Sequence, residues 1–105
     1  MYTTAKAIQE CKRILQVHYG ARLKGLVLYG SVARGDADAE SDIDLLVLLD
    51  PPLDYFSELW RIIEVLYPLQ LDSERLISAK PVLPDEYEQG RIQLYRNAKR
   101  EGITV

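Results

Sequence analysis

The segment GSVARGDADAESDIDLLVLL, Gly30 to Leu49, joins a Gly-Ser turn to an Asp-x-Asp pair, Asp42 and Asp44, and then to a run of branched apolar residues. In an extended strand, residues two apart project from the same face, so the two carboxylates stand about 6–7 Å apart. Neighbouring acids repel one another and resist burial unless water or a cation accompanies them. Two oxygen ligands at this spacing suit a hard cation such as Mg²⁺, which takes one or two carboxylates and completes its shell with substrate phosphates. Gly30 lets the backbone approach an anion closely, and the Ser31 hydroxyl adds a rotatable donor. Val32, Ala33 and Arg34 can begin a helical turn whose free backbone N–H groups point at a phosphate. A metal pair held this way would align an attacking oxygen with a nucleotide α-phosphate and neutralise the departing pyrophosphate. That is the chemistry of nucleotidyl transfer.

Other phosphate loops do not fit. Gly30-x4-Gly35 has the glycine spacing of a Walker A loop, but Asp36 and Ala37 stand where that motif needs Lys and Ser or Thr. Val32 occupies the second glycine position of GxGxxG, which excludes a dinucleotide fingerprint. Asp36, Asp38 and Glu40 read as solvated loop charges, because no periodicity ties them to the strand face. Arg34 has two readings, a surface partner of a nearby Asp or a phosphate contact. The competing account of the whole segment is a polar loop ahead of a strand.

The elements that must position these residues can be read outward from the turn. LKGLVLY, Leu23 to Tyr29, reads as a short buried strand ending at Gly30, and DIDLLVLL, Asp42 to Leu49, as a second that Pro51 and Pro52 terminate. Before them, Thr3 or Thr4 caps a helix with Ala7, Ile8, Cys11, Ile14, Leu15 and His18 at helical spacing, and Gly20 stops it. After them, a helix from about Asp54 sets Phe56, Leu59, Trp60, Ile63 and Leu66 or Tyr67 on one face until Pro68, which makes Trp60 a core residue. DSERLISAKPV, Asp72 to Val82, reads as a third strand, with Pro81 marking an edge or an end. Pro84, Asp85 and Glu86 open a short helix, RIQLYRNAKREG is a last helix stopped by Gly102, and ITV is a tail or small edge strand. The fold class is α/β, a small mixed β-sheet flanked by helices, in a single domain over residues 1–105.

The chain-wide numbers restrict the partners. At 105 residues, with 48% hydrophobic and 28% charged content, the composition is that of a globular chain with one modest core. A net charge of -3 and a pI near 5.1 argue against a general nucleic-acid surface, which needs clustered Lys and Arg. No segment has the ~20 apolar residues of a membrane span and the N-terminus lacks a signal-peptide core, so the expected location is cytoplasmic. Cys11 is the only cysteine and reads as a small core hydrophobe. His18, the only histidine, reads as a surface or dipole-compensating residue near a helix end.

LYGSVARGDADAESDIDLLV resembles the signature of the minimal nucleotidyltransferases of the DNA polymerase β superfamily, a Gly-Ser turn followed by Asp-x-Asp on the next strand. The resemblance extends more weakly to the ending LYRNAKREGITV. It implies a polymerase-β-like fold, with Gly30 and Ser31 as the triphosphate-binding turn and Asp42 and Asp44 as metal ligands. A third carboxylate normally comes from a later strand in this family. Here Glu74 is the first candidate and Asp72 the second, while Ile77, Ser78 and Ala79 at the strand centre offer none. Lys80 shares a face with Glu74 and reads as a surface residue or a phosphate contact. Minimal chains of this kind resemble antitoxins of two-gene toxin–antitoxin modules, which silence a helical HEPN-domain ribonuclease by transferring AMP to a tyrosine. The resemblance therefore implies Mg²⁺ and ATP as cofactor and substrate and a HEPN toxin as partner, while charge and hydropathy argue against direct nucleic-acid or membrane contact. A chain of this length has no room for the extra substrate-binding domain of larger relatives. The alternative is a pairing module that binds nucleotide and neutralises its partner by contact; transfer to an aminoglycoside-type small molecule is a third reading.

Overall fold

The structure is a computed structural model, and it describes residues 2–105. Helix α1 (Thr4–Tyr19) is capped by Thr3, whose hydroxyl accepts the Lys6 N–H at 3.2 Å. It buries Ala7, Cys11 and Leu15 and gives way at Gly20 to a 3₁₀ turn, Gly20–Arg22. Burial pushes the Cys11 thiol up to about 12, as expected of an inert core cysteine. His18 is exposed in the last turn, edge-on to the Tyr19 ring.

Strand β1 (Leu23–Tyr29) runs directly into the five-residue helix α2 (Gly30–Arg34), and β2 (Ile43–Leu49) returns antiparallel to β1 with Tyr29 level with Asp44. Helix α3 (Tyr55–Asp72) crosses back, so β3 (Ile77–Val82) lies parallel to β2 with Ser78 level with Asp44 and Lys80 level with Leu46. Helices α4 (Pro84–Gln89) and α5 (Gln93–Glu101) follow, and after Gly102 the short β4 (Ile103–Thr104) pairs antiparallel with β1. The four-stranded mixed sheet has the order β3-β2-β1-β4, the α/β architecture expected from the sequence.

The two faces of β2 bury different things, because successive side chains alternate across the sheet. Ile43, Leu45, Val47 and Leu49 pack into the main core with Ala7, Cys11, Leu15, Ile62, Leu66 and Leu69 from α1 and α3. Leu46 and Leu48, on the other face, join a smaller core with Val27, Val82, Tyr87 and Ala98 beneath α4 and α5. Asp44 shares this second face but lies where that cover ends.

Two expectations are corrected here. Trp60 is not core: α3 buries Glu58, Ile62, Leu66 and Leu69, while Phe56, Trp60, Ile63 and Tyr67 are exposed. Two apolar stripes run along this helix, and the more aromatic one faces out. Nor does α3 stop at Pro68. Leu69 continues the buried stripe beyond it, and Pro68 is on the exposed side, so core packing outweighs the ~3 kcal/mol a helical proline costs. The helix therefore absorbs Asp72, and the third strand begins only at Ile77.

Candidate active site

The site forms where β1 ends, β2 begins and α2 turns away between them. Gly30 adopts φ 79, a left-handed conformation that disfavours side chains. It also has no room for one: a Cβ there would run into the Asp44 carboxylate. The sequence predicts close phosphate approach at this glycine; its first neighbour is the carboxylate, so Gly30 sets where that carboxylate can stand. Ser31 is half-buried in the first turn of α2, and Gly35 ends the helix in the left-handed region with φ 80.

Asp42 sits one residue before β2 and Asp44 on its second position, both half-buried. Neither carboxylate accepts a hydrogen bond from the described residues. Burial, and then the neighbouring charge of Asp42, raise the Asp44 carboxyl above the usual carboxylate range, while Lys80 and Arg34 draw it back. This is an ionisable pair short of positive charge, and its hard oxygen donors fit a divalent cation. The set is incomplete as an all-protein cage, since among the described residues no three Asp, Glu, His or Cys side chains could hold one ion. Two carboxylates plus substrate phosphates is a set that Mg²⁺ accepts.

Glu74 does not join the pair. It is exposed in the bend between α3 and β3, and Asp72 ends α3. Ser78 is the β3 residue level with Asp44 instead, and Lys80 Nζ donates to Ser78 Oγ and to the Tyr29 hydroxyl, each at 3.3 Å. Lys80 forms no ion pair within the described residues, so its charge remains available at the edge of the site. Arg34 is committed to Asp36 at 3.3 Å and Glu101 at 3.5 Å, which raises its pKa, Asp36 first. The structure thus supplies the surface pairing that was one of the two readings of Arg34.

Sequence reasoning missed two contributors. Tyr29 projects beside Asp44 and Lys80, a placement that follows from strand register rather than from any motif. Arg75 ties the acidic loop down: its guanidinium donates to the Asp38 and Ser41 carbonyls and, at 2.9 Å, to Thr4 Oγ1. Asp38 closes that loop internally, accepting from the Glu40 N–H at 2.9 Å and the Ser41 hydroxyl at 3.1 Å. One of the five acids is therefore a loop staple.

A Gly-Ser turn between two antiparallel strands, with paired carboxylates opening the second, defines a nucleotidyltransferase-like site. The family model described as nucleotidyltransferase domain matches residues 6–94. Three proteins of Methanocaldococcus jannaschii, all named as candidate protein adenylyltransferases, are similar in sequence. The first is 38% identical over 79 residues, covering 71% of this chain and 79% of its own length. The second is 34% identical over 86 residues, with 73% and 83% covered, and the third 35% over 71 residues, with 68% and 71% covered. A chain from the crystal structure of a mutant MntA–HpeT toxin–antitoxin shares the fold, with a TM-score of 0.63 and 18% identity over 93% of this chain and 70% of that one. The chain belongs to the nucleotidyltransferase domain family and is a nucleotidyltransferase. A nucleotide substrate, and typically a divalent metal, come with that membership. Among the described residues no helix is long and apolar enough to cross a membrane.

Proposed function

We propose that the enzyme transfers AMP from ATP to a hydroxyl of a partner protein, and that the acceptor is a tyrosine of a HEPN-domain toxin silenced by the modification. The observation that carries this reading is the unpartnered Asp42–Asp44 pair standing against the Gly30–Ser31 turn. In this account Gly30 and Ser31 receive the triphosphate, with the Ser31 hydroxyl donating to a phosphate oxygen. Asp42 and Asp44 would hold Mg²⁺, which when bound offsets phosphate charge and supports departure of pyrophosphate. Lys80 adds a positive charge on the same sheet face, beside the nucleotide. The acceptor oxygen bonds to the α-phosphorus as the bond to pyrophosphate breaks. Its proton passes to a base that the partner contributes, since among the described residues no third carboxylate joins the pair.

The names of the M. jannaschii relatives support protein as the acceptor class and AMP as the transferred group. The toxin–antitoxin origin of the MntA–HpeT structure supports a toxin partner. The test is incubation with isotope-labelled ATP, Mg²⁺ and each small helical protein found encoded next to the gene for this chain, followed by peptide mass spectrometry. Label on a partner tyrosine is the expected result; no label on any neighbour-encoded protein would overturn the reading.

The second reading, neutralisation by contact alone, draws on Ser78 standing level with Asp44 where a third acid was sought. It forecasts nucleotide binding without transfer, and the same experiment separates the two.

A further inference from the structure

The outer face of α3 carries a second apolar stripe that nothing among the described residues covers. Phe56, Trp60, Ile63, Tyr67 and Leu71 follow one another at helical spacing and form a line turned away from the buried Glu58, Ile62 and Leu69. Phe56 is 78% exposed and Trp60 65%. Ile63 and Tyr67 also line an apolar groove of about 220 Å³ between α3 and the edge strand β3, where Leu76 is exposed as well. With aromatic side chains offering about 150–250 Å² each, the stripe presents on the order of 600 Å². That is at the upper end of what a monomer leaves open, and it reaches the ~500 Å² per partner from which specific interfaces start.

We propose that this stripe is the seam of a homodimer in which α3 packs antiparallel against α3 of a second copy. The spacing of Phe56, Trp60, Ile63 and Tyr67 is four, three, four, so it reads the same in both directions. A two-fold axis between Trp60 and Ile63 sets Phe56 against Tyr67 of the second copy, at the mouth of its groove, and Trp60 against Ile63. Charge points to the same occupant. Arg61 and Glu64 are both exposed on one flank of the stripe, and neither forms an ion pair among the described residues. Antiparallel helices bring like flanks together, so each copy's Arg61 meets the other's Glu64, twice by symmetry. A surface made for a strongly acidic or basic partner would carry one sign. The seam and the Asp44 carboxylate lie on different sides of the sheet, because α3 packs on the face opposite Asp44. The inference does not depend on the acceptor proposed above.

Sedimentation velocity of the full chain over a concentration series tests it. The expected result is a concentration-dependent dimer. Trp60→Glu should weaken association by about 10²-fold or more, the scale of a central aromatic anchor, while the dissociated monomer keeps its helical circular-dichroism signal, because Trp60 lies outside the core. Arg61→Glu should weaken it by a smaller factor, and Arg61→Glu combined with Glu64→Arg should restore it, an outcome that a merely misfolded variant would not give. A monomer at every concentration, or a dimer indifferent to both Trp60→Glu and Arg61→Glu, would overturn the proposal and leave the stripe to a different protein.

Discussion

Glu58 and Asp44 are both carboxylates drawn into the fold, and their surroundings push them in opposite directions. Glu58 is the more buried, at 7% exposure, yet its site is finished: the Tyr19 hydroxyl donates at 2.7 Å and Arg22 pairs at 2.9 Å. Burial alone would raise it, but the hydrogen bonds from Tyr19 and Arg22 outweigh burial and hold it below the usual carboxylate range. Asp44 is less buried and receives no hydrogen bond to its carboxylate among the described residues; burial and Asp42 raise it. A satisfied buried charge is part of the scaffold. An unsatisfied one at a cleft mouth awaits something from outside, and that contrast marks the site better than acidity alone.

The sharpest way to break the contrast is to neutralise each acid in turn. Asp44→Asn or Asp42→Asn is expected to lower nucleotide transfer by about 10³-fold or more, the several kcal/mol that a lost metal ligand removes. Neither should melt lower than wild type in metal-free buffer, since each relieves like-charge repulsion. Radiolabel transfer and calorimetry check the two halves.

Glu58→Ala should do the reverse. It leaves Arg22 and Tyr19 facing an empty carboxylate position, and loss of one partner of a buried pair destabilises by about 3–5 kcal/mol, less here because Arg22 is partly open to solvent. Denaturant titration should show that loss while activity per folded molecule is kept.

Gly30→Ala acts on both sides of the comparison. It places a side chain at φ 79, a strain of about 1–2 kcal/mol, and displaces the Asp44 carboxylate. Nucleotide affinity should fall by more than in Ser31→Ala, measured by titration with Mg²⁺-ATP.

The pH dependence separates the two acids by sign. A depressed carboxylate stabilises above its unfolded value, near 4.3 for Glu, and that contribution is lost as pH falls through the folded value. A raised carboxylate such as Asp44 adds stability below its unfolded value, near 3.9, and loses it as pH rises through the folded one. Melting curves between pH 3 and 6 should therefore fall less steeply towards acid for Glu58→Gln than for wild type, and more steeply for Asp44→Asn. The smallest effect is expected from Glu74→Gln, which should leave transfer within about two-fold, because the side chain stands apart from the pair; a large loss would restore it as a third ligand.

The chain announces its turns and strands in local chemistry. Leu23–Tyr29 is bounded by Gly30, Ile43–Leu49 by Pro51, and Gly20, Pro84 and Gly102 mark helix ends. The placement of Asp42 and Asp44 at one strand mouth beside Gly30 followed from the same rules. What local chemistry cannot supply is which face of α3 turns inward. Two apolar stripes compete there, and the buried one packs Ile62, Leu66 and Leu69 against α1 and the sheet while Arg22 and Tyr19, more than thirty residues before Glu58, complete the charge it carries. The level of β3 was misplaced for a related reason. Its register is fixed by parallel pairing with β2 across an intervening helix, and that helix runs four residues past the proline expected to end it. Ser78 and Lys80 share a face by strand alternation, but Tyr29 reaches them only through that register, so no motif could bring it there beforehand.

The central claim is that Asp44 is the open ligand and Glu58 the closed one. Calorimetric titration of Mg²⁺-ATP into wild type, Asp44→Asn and Glu58→Gln, each checked for folding by its melting curve, tests it most directly. Binding should be lost in Asp44→Asn and retained within a few-fold in Glu58→Gln. Wild-type affinity in folded Asp44→Asn would contradict the account.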